Sequence, residues 1–126
     1  MQYAILCYHD EAAVGALTGE QDDTLMAKLA AVRRELIAEG KLGPVARLMP
    51  TTAATTLRYG RDPLVMDGPF AETKEALLGF YVVACATLDE AIEVARRLTV
   101  PGRAAGLIGA MEIRPIAVFH PESGLA

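Results

Sequence analysis

Two parts of this chain repeat one pattern, a strand-like run that is apolar on both alternating faces, followed by a threonine-capped helix. In the first run, Tyr3 to His9, the side chains of Tyr3, Ile5 and Cys7 alternate with Ala4, Leu6 and Tyr8. A capping box follows, with Thr18 as N-cap and Gln21 at the third helical position. Leu25, Leu29, Val32 and Leu36 then recur at helical spacing, and Gly40 is placed to end the helix in a left-handed conformation. The second run, Gly79 to Ala86, sets Phe80, Val82 and Ala84 against Tyr81, Val83 and Cys85. Thr87-Leu88-Asp89-Glu90 starts its helix, with Leu88, Ala91, Ile92, Ala95 and Leu98 on one side. Two strand–helix units of this kind specify an α+β fold, a ferredoxin-like βαββαβ sheet with both helices on one face.

The remaining elements fit around that frame. Gly43-Pro44 breaks the chain ahead of a short strand at Val45 to Leu48. Thr55 to Tyr59 and Pro63 to Asp67 form an inserted hairpin around Gly60-Arg61-Asp62. Thr99 to Gly109 reads as a Gly/Pro-interrupted connection and Ala110 to Ile116 as the last strand. One domain is expected over residues 1–118, with a C-terminal tail over 119–126 that turns mobile and polar from Pro121. Two helices cover only one side of such a sheet, yet both faces of both strands are apolar. A strand with one wet face should alternate with polar residues. The economical cover is a second copy, since two-fold homodimers are the commonest oligomers. The expected assembly is a homodimer in which two sheets face each other as a dimeric α+β barrel.

Composition narrows the function. The 126 residues carry a net charge of −4, no Trp and three Phe. That balance argues against a general grip on nucleic acid phosphates and leaves little for base stacking. No run approaches the ~20 apolar residues of a membrane span, and Met1 leads into a strand rather than a basic leader. Cys7 and Cys85 lie inside apolar runs, where reduced, packed thiols are expected, although a disulfide between neighbouring strands is geometrically possible. A cytoplasmic protein is the expectation.

The stretch from Asp67 to Phe80, Asp-Gly-Pro-Phe-Ala-Glu-Thr-Lys-Glu-Ala-Leu-Leu-Gly-Phe, combines a turn dipeptide, a ring-locked proline, an aromatic anchor and a charged run. It resembles the signature of DGPF-type proteins in the YCII-related superfamily. Tyr8 with Asp10-Glu11, Thr52 to Thr56, Leu88 to Ala91 and Met111 to Pro115 resemble family positions too, so the likeness spans nearly the whole chain. It implies a ferredoxin-like dimeric barrel and a small ligand pocket, with no assigned reaction. Some members of the superfamily carry a His–Asp pair proposed as catalytic. The helix from Thr18 to Glu39 holds no histidine, so a helix-borne histidine does not carry over, and Leu78 stands where many relatives have a second glycine.

Two roles are open for the signature. In a structural one, Asp67 accepts backbone N–H bonds in an Asx-type turn, Gly68 takes a positive φ, Pro69 sets the exit and Phe70 pins the loop into the core or a dimer partner. In a functional one, Asp67 presents a carboxylate at the barrel rim as general base or ligand contact, and Lys74 meets an anion. His9, with an ordinary pKa near ~6.5, is the second candidate acid or base; a surface histidine at a strand exit is the plain alternative. Tyr8 and Tyr81 are candidate pocket residues, Tyr81 also serving as core packing, and Arg47 could meet a carboxylate or phosphate or be solvated. Arg58 has the same two options. Glu112 and Arg114 share a strand face and can pair with each other. His9, Asp10 and Glu11 are adjacent rather than spaced as ligands, so no metal is expected, and no cofactor motif is present.

The candidates therefore are Asp67 and His9 for catalysis, and Tyr8, Arg47, Gly68, Pro69, Phe70, Lys74 and Tyr81 for ligand binding. Two functions follow. One is a small-molecule-binding protein or cofactor-independent acid–base enzyme with its pocket in the dimeric barrel. The other, implied by the resemblance, is a regulatory module linked to an extracytoplasmic-function sigma factor.

Overall fold

The computed structural model describes residues 1–122, 124 and 125. The chain runs β1 (Gln2–His9), α1 (Glu11–Gly15), α2 (Gly19–Ala38), β2 (Leu42–Arg47), a 3-10 turn (Thr51–Ala53), β3 (Thr55–Arg58), β4 (Leu64–Asp67), β5 (Ala76–Ala84), α3 (Leu88–Ala104) and β6 (Gly109–Pro115). Four strands form one antiparallel sheet in the order β2-β5-β1-β6, and β3 and β4 pair only with each other. That order, with two long helices on one side, is the ferredoxin-like arrangement, and β3–β4 is the inserted hairpin. The tail as read from the sequence includes Ser123 and Ala126, which lie outside the described residues.

Local chemistry sets the element ends. At α2 the Thr18 hydroxyl accepts from the Gln21 N–H at 3.1 Å while the Gln21 side chain accepts from the Thr18 N–H at 2.9 Å, so the full capping box forms. At α3 only half forms: Thr87 accepts from the Glu90 N–H at 3.2 Å, but Glu90 reaches one residue further back, to Ala86, at 3.3 Å. Gly40 follows α2 with a φ of 71°.

Strand β2 and helix α3 depart from the sequence reading. The strand after Gly43-Pro44 begins earlier, at Leu42, and runs through both residues. It lies at the sheet edge and slips register against β5 between Leu42 and Val45, where a proline without an N–H disrupts little. Helix α3 does not stop at Thr99 but continues to Ala104 with Pro101 inside it. Pro101 is buried and its carbonyl accepts from Ala105, so packing offsets the lost hydrogen bond. The inward stripe of α3 is Ala91, Val94, Ala95, Leu98 and Pro101, while Leu88, at the first turn, is half exposed.

Packing is concentrated on one side of the sheet. Tyr3, Ile5 and Cys7 of β1 and Tyr81 and Val83 of β5 meet Leu36 of α2 and Ala91, Val94, Ala95 and Leu98 of α3. Ile5, Leu36, Val83, Val94 and Leu98 are essentially sealed from water. Full burial of side chains this size contributes roughly 1.5–3 kcal/mol each, before the cost of ordering them. The helices are also tied by Arg97, which donates to Glu39 at 2.6 Å and to Glu35 at 3.4 Å. Arg97, then Lys41, holds the Glu39 carboxyl well down, to about 2. These pairs are partly solvated and add little stability.

The other side of the sheet carries Ala4, Leu6 and Tyr8 of β1 beside Phe80 and Val82 of β5, with Leu6 opposite Phe80 and Ala4 opposite Val82. Neither long helix covers it. Leu6, Tyr8 and Phe80 are half-buried, and β6 adds the Glu112–Arg114 ion pair at its margin.

Candidate functional site

The signature residues build a cleft rather than a simple turn. β4 ends at Asp67, and Gly68 takes a φ of 97°, a conformation only glycine adopts without strain. Its N–H donates to the Ala54 carbonyl and its own carbonyl accepts from the Thr56 hydroxyl, both at 2.8 Å, which fastens the loop to the start of β3. From there residues 68–75 run to β5, with the Thr73 hydroxyl donating to the Glu75 carbonyl.

The opposite wall comes from a helix that the sequence reading did not anticipate. Asp10 caps it by accepting from the Ala12 N–H at 3.1 Å, and the first helical residue, Glu11, reaches the 3-10 turn. There its carboxylate accepts from the Thr51 hydroxyl at 2.5 Å and the Thr51 N–H at 2.7 Å. The hydroxyl bond, then the backbone one, holds the Glu11 carboxyl below its ordinary pKa, so it is ionised at neutral pH. Asp10 directly before Glu11-Ala12-Ala13 was the available signal for this helix.

Between these walls lies a cleft of about 360 Å³, lined by Glu11, Thr51, Thr52, Gly68, Pro69, Ala71, Glu72, Thr73, Lys74 and Ala76. Three of the proposed ligand residues, Gly68, Pro69 and Lys74, thus stand together. Asp67 immediately precedes the Gly68 wall, and its side chain is solvent-exposed. His9 is cross-strand partner to Ala76, which lines the cleft, on one side and to Gly109 on the other. The Nδ1 of His9 is buried without a hydrogen-bond partner among the described residues, and burial lowers its pKa, which favours the neutral imidazole. A side chain at Gly109 would place Cβ 2.1 Å from the Tyr8 carbonyl and 2.8 Å from His9 Nδ1, so only glycine fits there.

The other proposed residues are elsewhere. Tyr81 lies opposite Ile5 on the helix-covered face, 8% exposed, and burial raises its pKa; Tyr8 is on the opposite face. The two tyrosines therefore cannot line one chamber. Arg47 closes an ion pair with Asp22 of α2 at 3.0 Å. Phe70 is 75% exposed rather than pinned in this chain's core, and the Arg58 guanidinium lies 5.5 Å from its ring centre. Glu112 and Arg114 pair with each other. Cys7 and Cys85 are buried and unbonded; Cys7 pairs with Gly79, six residues from Cys85 along the chain, so the thiols lie about 20 Å apart along the strand. Burial pushes the Cys7 thiol up to about 11.

Comparison with known proteins decides the family. Residues 1–119 match the YCII-related domain. The chain belongs to the YCII-related family. An uncharacterized protein of Rhizobium meliloti (strain 1021) is 53% identical over 122 residues, an alignment covering 96% of each chain. The DGPF signature is consistent with this family, and here its loop forms one wall of a cleft that adjoins the β1 terminus carrying His9. No helix among the described residues is long and apolar enough to cross a membrane.

Proposed function

We propose that this YCII-related protein is a cytoplasmic small-molecule-binding protein, or a cofactor-independent acid–base enzyme, using the signature-loop cleft beside a barrel that a second copy closes. The observation that carries this is the cleft itself, about 360 Å³ between Glu11–Thr51 and Gly68–Lys74, a volume suited to a small organic molecule. Lys74 offers a cation, Thr51, Thr52 and Thr73 offer hydroxyls, and Glu11 and Glu72 offer carboxylates. That mixture suits a polar ligand with an anionic group for Lys74 and a donor for a carboxylate. In the enzymatic form, neutral His9 or the Asp67 carboxylate takes a proton from the bound molecule. The two unpaired thiols are in keeping with a reducing compartment.

Native mass spectrometry of the purified protein, followed by calorimetric titration with the small molecule so found, tests the reading. Lys74→Ala should weaken binding by at least tenfold without moving the unfolding midpoint, because Lys74 is exposed and makes no ion pair among the described residues. Unchanged binding by Lys74→Ala and Glu11→Gln alike would remove the cleft from consideration. The alternative, a module that contacts an extracytoplasmic-function sigma factor, draws on the exposed apolar side chains of the β3–β4 hairpin. Stable co-purification with such a factor and an empty cleft would favour it.

A further inference from the structure

Among the described residues, the β3–β4 hairpin pairs with no other strand of its own chain. Its strands bond only to each other, and Thr56 alone among their eight residues is not exposed. Leu57, Tyr59, Leu64, Val65, Met66 and the neighbouring Phe70 are 61, 89, 55, 65, 44 and 75% exposed. Together, over both faces of the hairpin, they leave on the order of 800 Å² in water, more apolar surface than so short a segment ordinarily exposes. A two-stranded hairpin by itself is at best marginally stable in water.

Register separates its two faces. Thr55 opposes Asp67 and Leu57 opposes Val65, while Thr56 opposes Met66 and Arg58 opposes Leu64. Directly opposed residues point the same way and successive positions point oppositely, so Leu57, Val65 and Asp67 share one face. The second face carries Arg58, whose guanidinium stacks on Phe70 of its own signature loop. The Leu57–Val65 face has no such contact.

We infer that this hairpin is an intermolecular arm: in a two-fold dimer, the Leu57–Val65 face of each copy packs on the apolar open sheet face of the other, around Leu6 and Phe80, and carries Asp67 into the partner's chamber. A second copy is the fitting occupant because the same chain holds both unmatched surfaces, a projecting apolar arm and an apolar sheet face with no helix over it. One symmetric pairing covers each of them twice. Asp67 of one copy would then serve a site whose Tyr8 comes from the other, which is how an exposed carboxylate at a strand end becomes part of an enclosed site. This deepens the dimer reading above and does not depend on which ligand the cleft takes.

Sedimentation velocity and light scattering on the full chain at about 50 µM test it, comparing wild type with Leu57→Asp/Val65→Asp. Both residues are exposed in the single chain, so circular dichroism should show the fold intact. A dimeric wild type and a monomeric double variant are expected, with the dissociation constant raised at least a hundredfold. As a second measurement, mixed copies carrying Val65→Cys and Leu6→Cys respectively should form a disulfide-linked heterodimer under mild oxidation. A wild type that stays monomeric at this concentration would sink the dimer and the arm together. A dimer that survives the double substitution and gives no cross-link would sink the arm alone and leave the dimer standing.

Discussion

On the helix side of the sheet, Ile5 and Val83 are 0% exposed; on the hairpin, Leu57 and Val65 are 61 and 65% exposed. The residue types are alike, and each pair belongs to antiparallel strands. The difference is what lies on top: α2 and α3 in one case and water in the other. Apolar content therefore serves the stability of the single chain in the first region. In the second it contributes nothing to that stability and is available for contact with another molecule. The signature-loop cleft sits between these regimes, held by hydrogen bonds from Thr51 to Glu11 and between Gly68 and the start of β3 rather than by a core.

Truncation gives the sharpest contrast. Leu36→Ala should cost about 2–5 kcal/mol in urea unfolding, since Leu36 is 0% exposed beneath the sheet. Leu57→Ala, measured at a dilution where only single chains are present, should stay within about 0.5 kcal/mol of wild type. Equal costs at the two positions would break the comparison and place the hairpin in the folding core.

Gly109→Ala tests the join between β1 and β6, beside His9. The added Cβ would sit 2.1 Å from the Tyr8 carbonyl, so backbone must move, at a cost of about 1–3 kcal/mol. Because the same Cβ would meet His9 Nδ1 at 2.8 Å, the His9 imidazole signals in NMR should shift as well. Unchanged His9 resonances would mean that the ring is not held between the strands.

Acid provides the mildest test. The Glu11 and Glu39 carboxyls are both held below the ordinary glutamate pKa, Glu11 by Thr51 and Glu39, down to about 2, by Arg97 and Lys41. A depressed carboxylate contributes stability that is complete above the unfolded-state pKa and is lost as pH falls through the folded one. Thermal midpoints should therefore be flat above pH ~5 and fall between roughly pH 4.5 and 2. Glu11→Gln should flatten only its own part of that fall and loosen amide protection near Thr51. No change in either would show that the cleft wall is held by other contacts.

Much of the fold was legible because it rests on short-range rules. Thr18 and Gln21 specify a helix start through bonds three residues apart, and the short β-prone run from Tyr3 to His9, apolar on both faces, specifies a strand. Pro101 shows where such rules stop. Read locally it ends a helix, but in the fold it is buried against the sheet and the helix passes through it. The candidate site divided in the same way. Gly68, Pro69 and Lys74, being close in sequence, were found together. Thr51 was not tied to Glu11, because the two meet across 40 positions of chain and carry no local mark of their pairing. Tyr81 was set in a shared chamber with Tyr8, yet antiparallel register with Ile5 turns it to the opposite face.

The amino-acid order alone determined the two strand–helix units, the inserted hairpin and the turn at Gly68, since each follows from side-chain period, capping or φ preference within a few residues. The tertiary structure decided which apolar faces are dry, which carboxylate holds which threonine and where the signature loop leaves a cleft. Those outcomes depend on long-range register and on which surfaces meet, and no local preference encodes them.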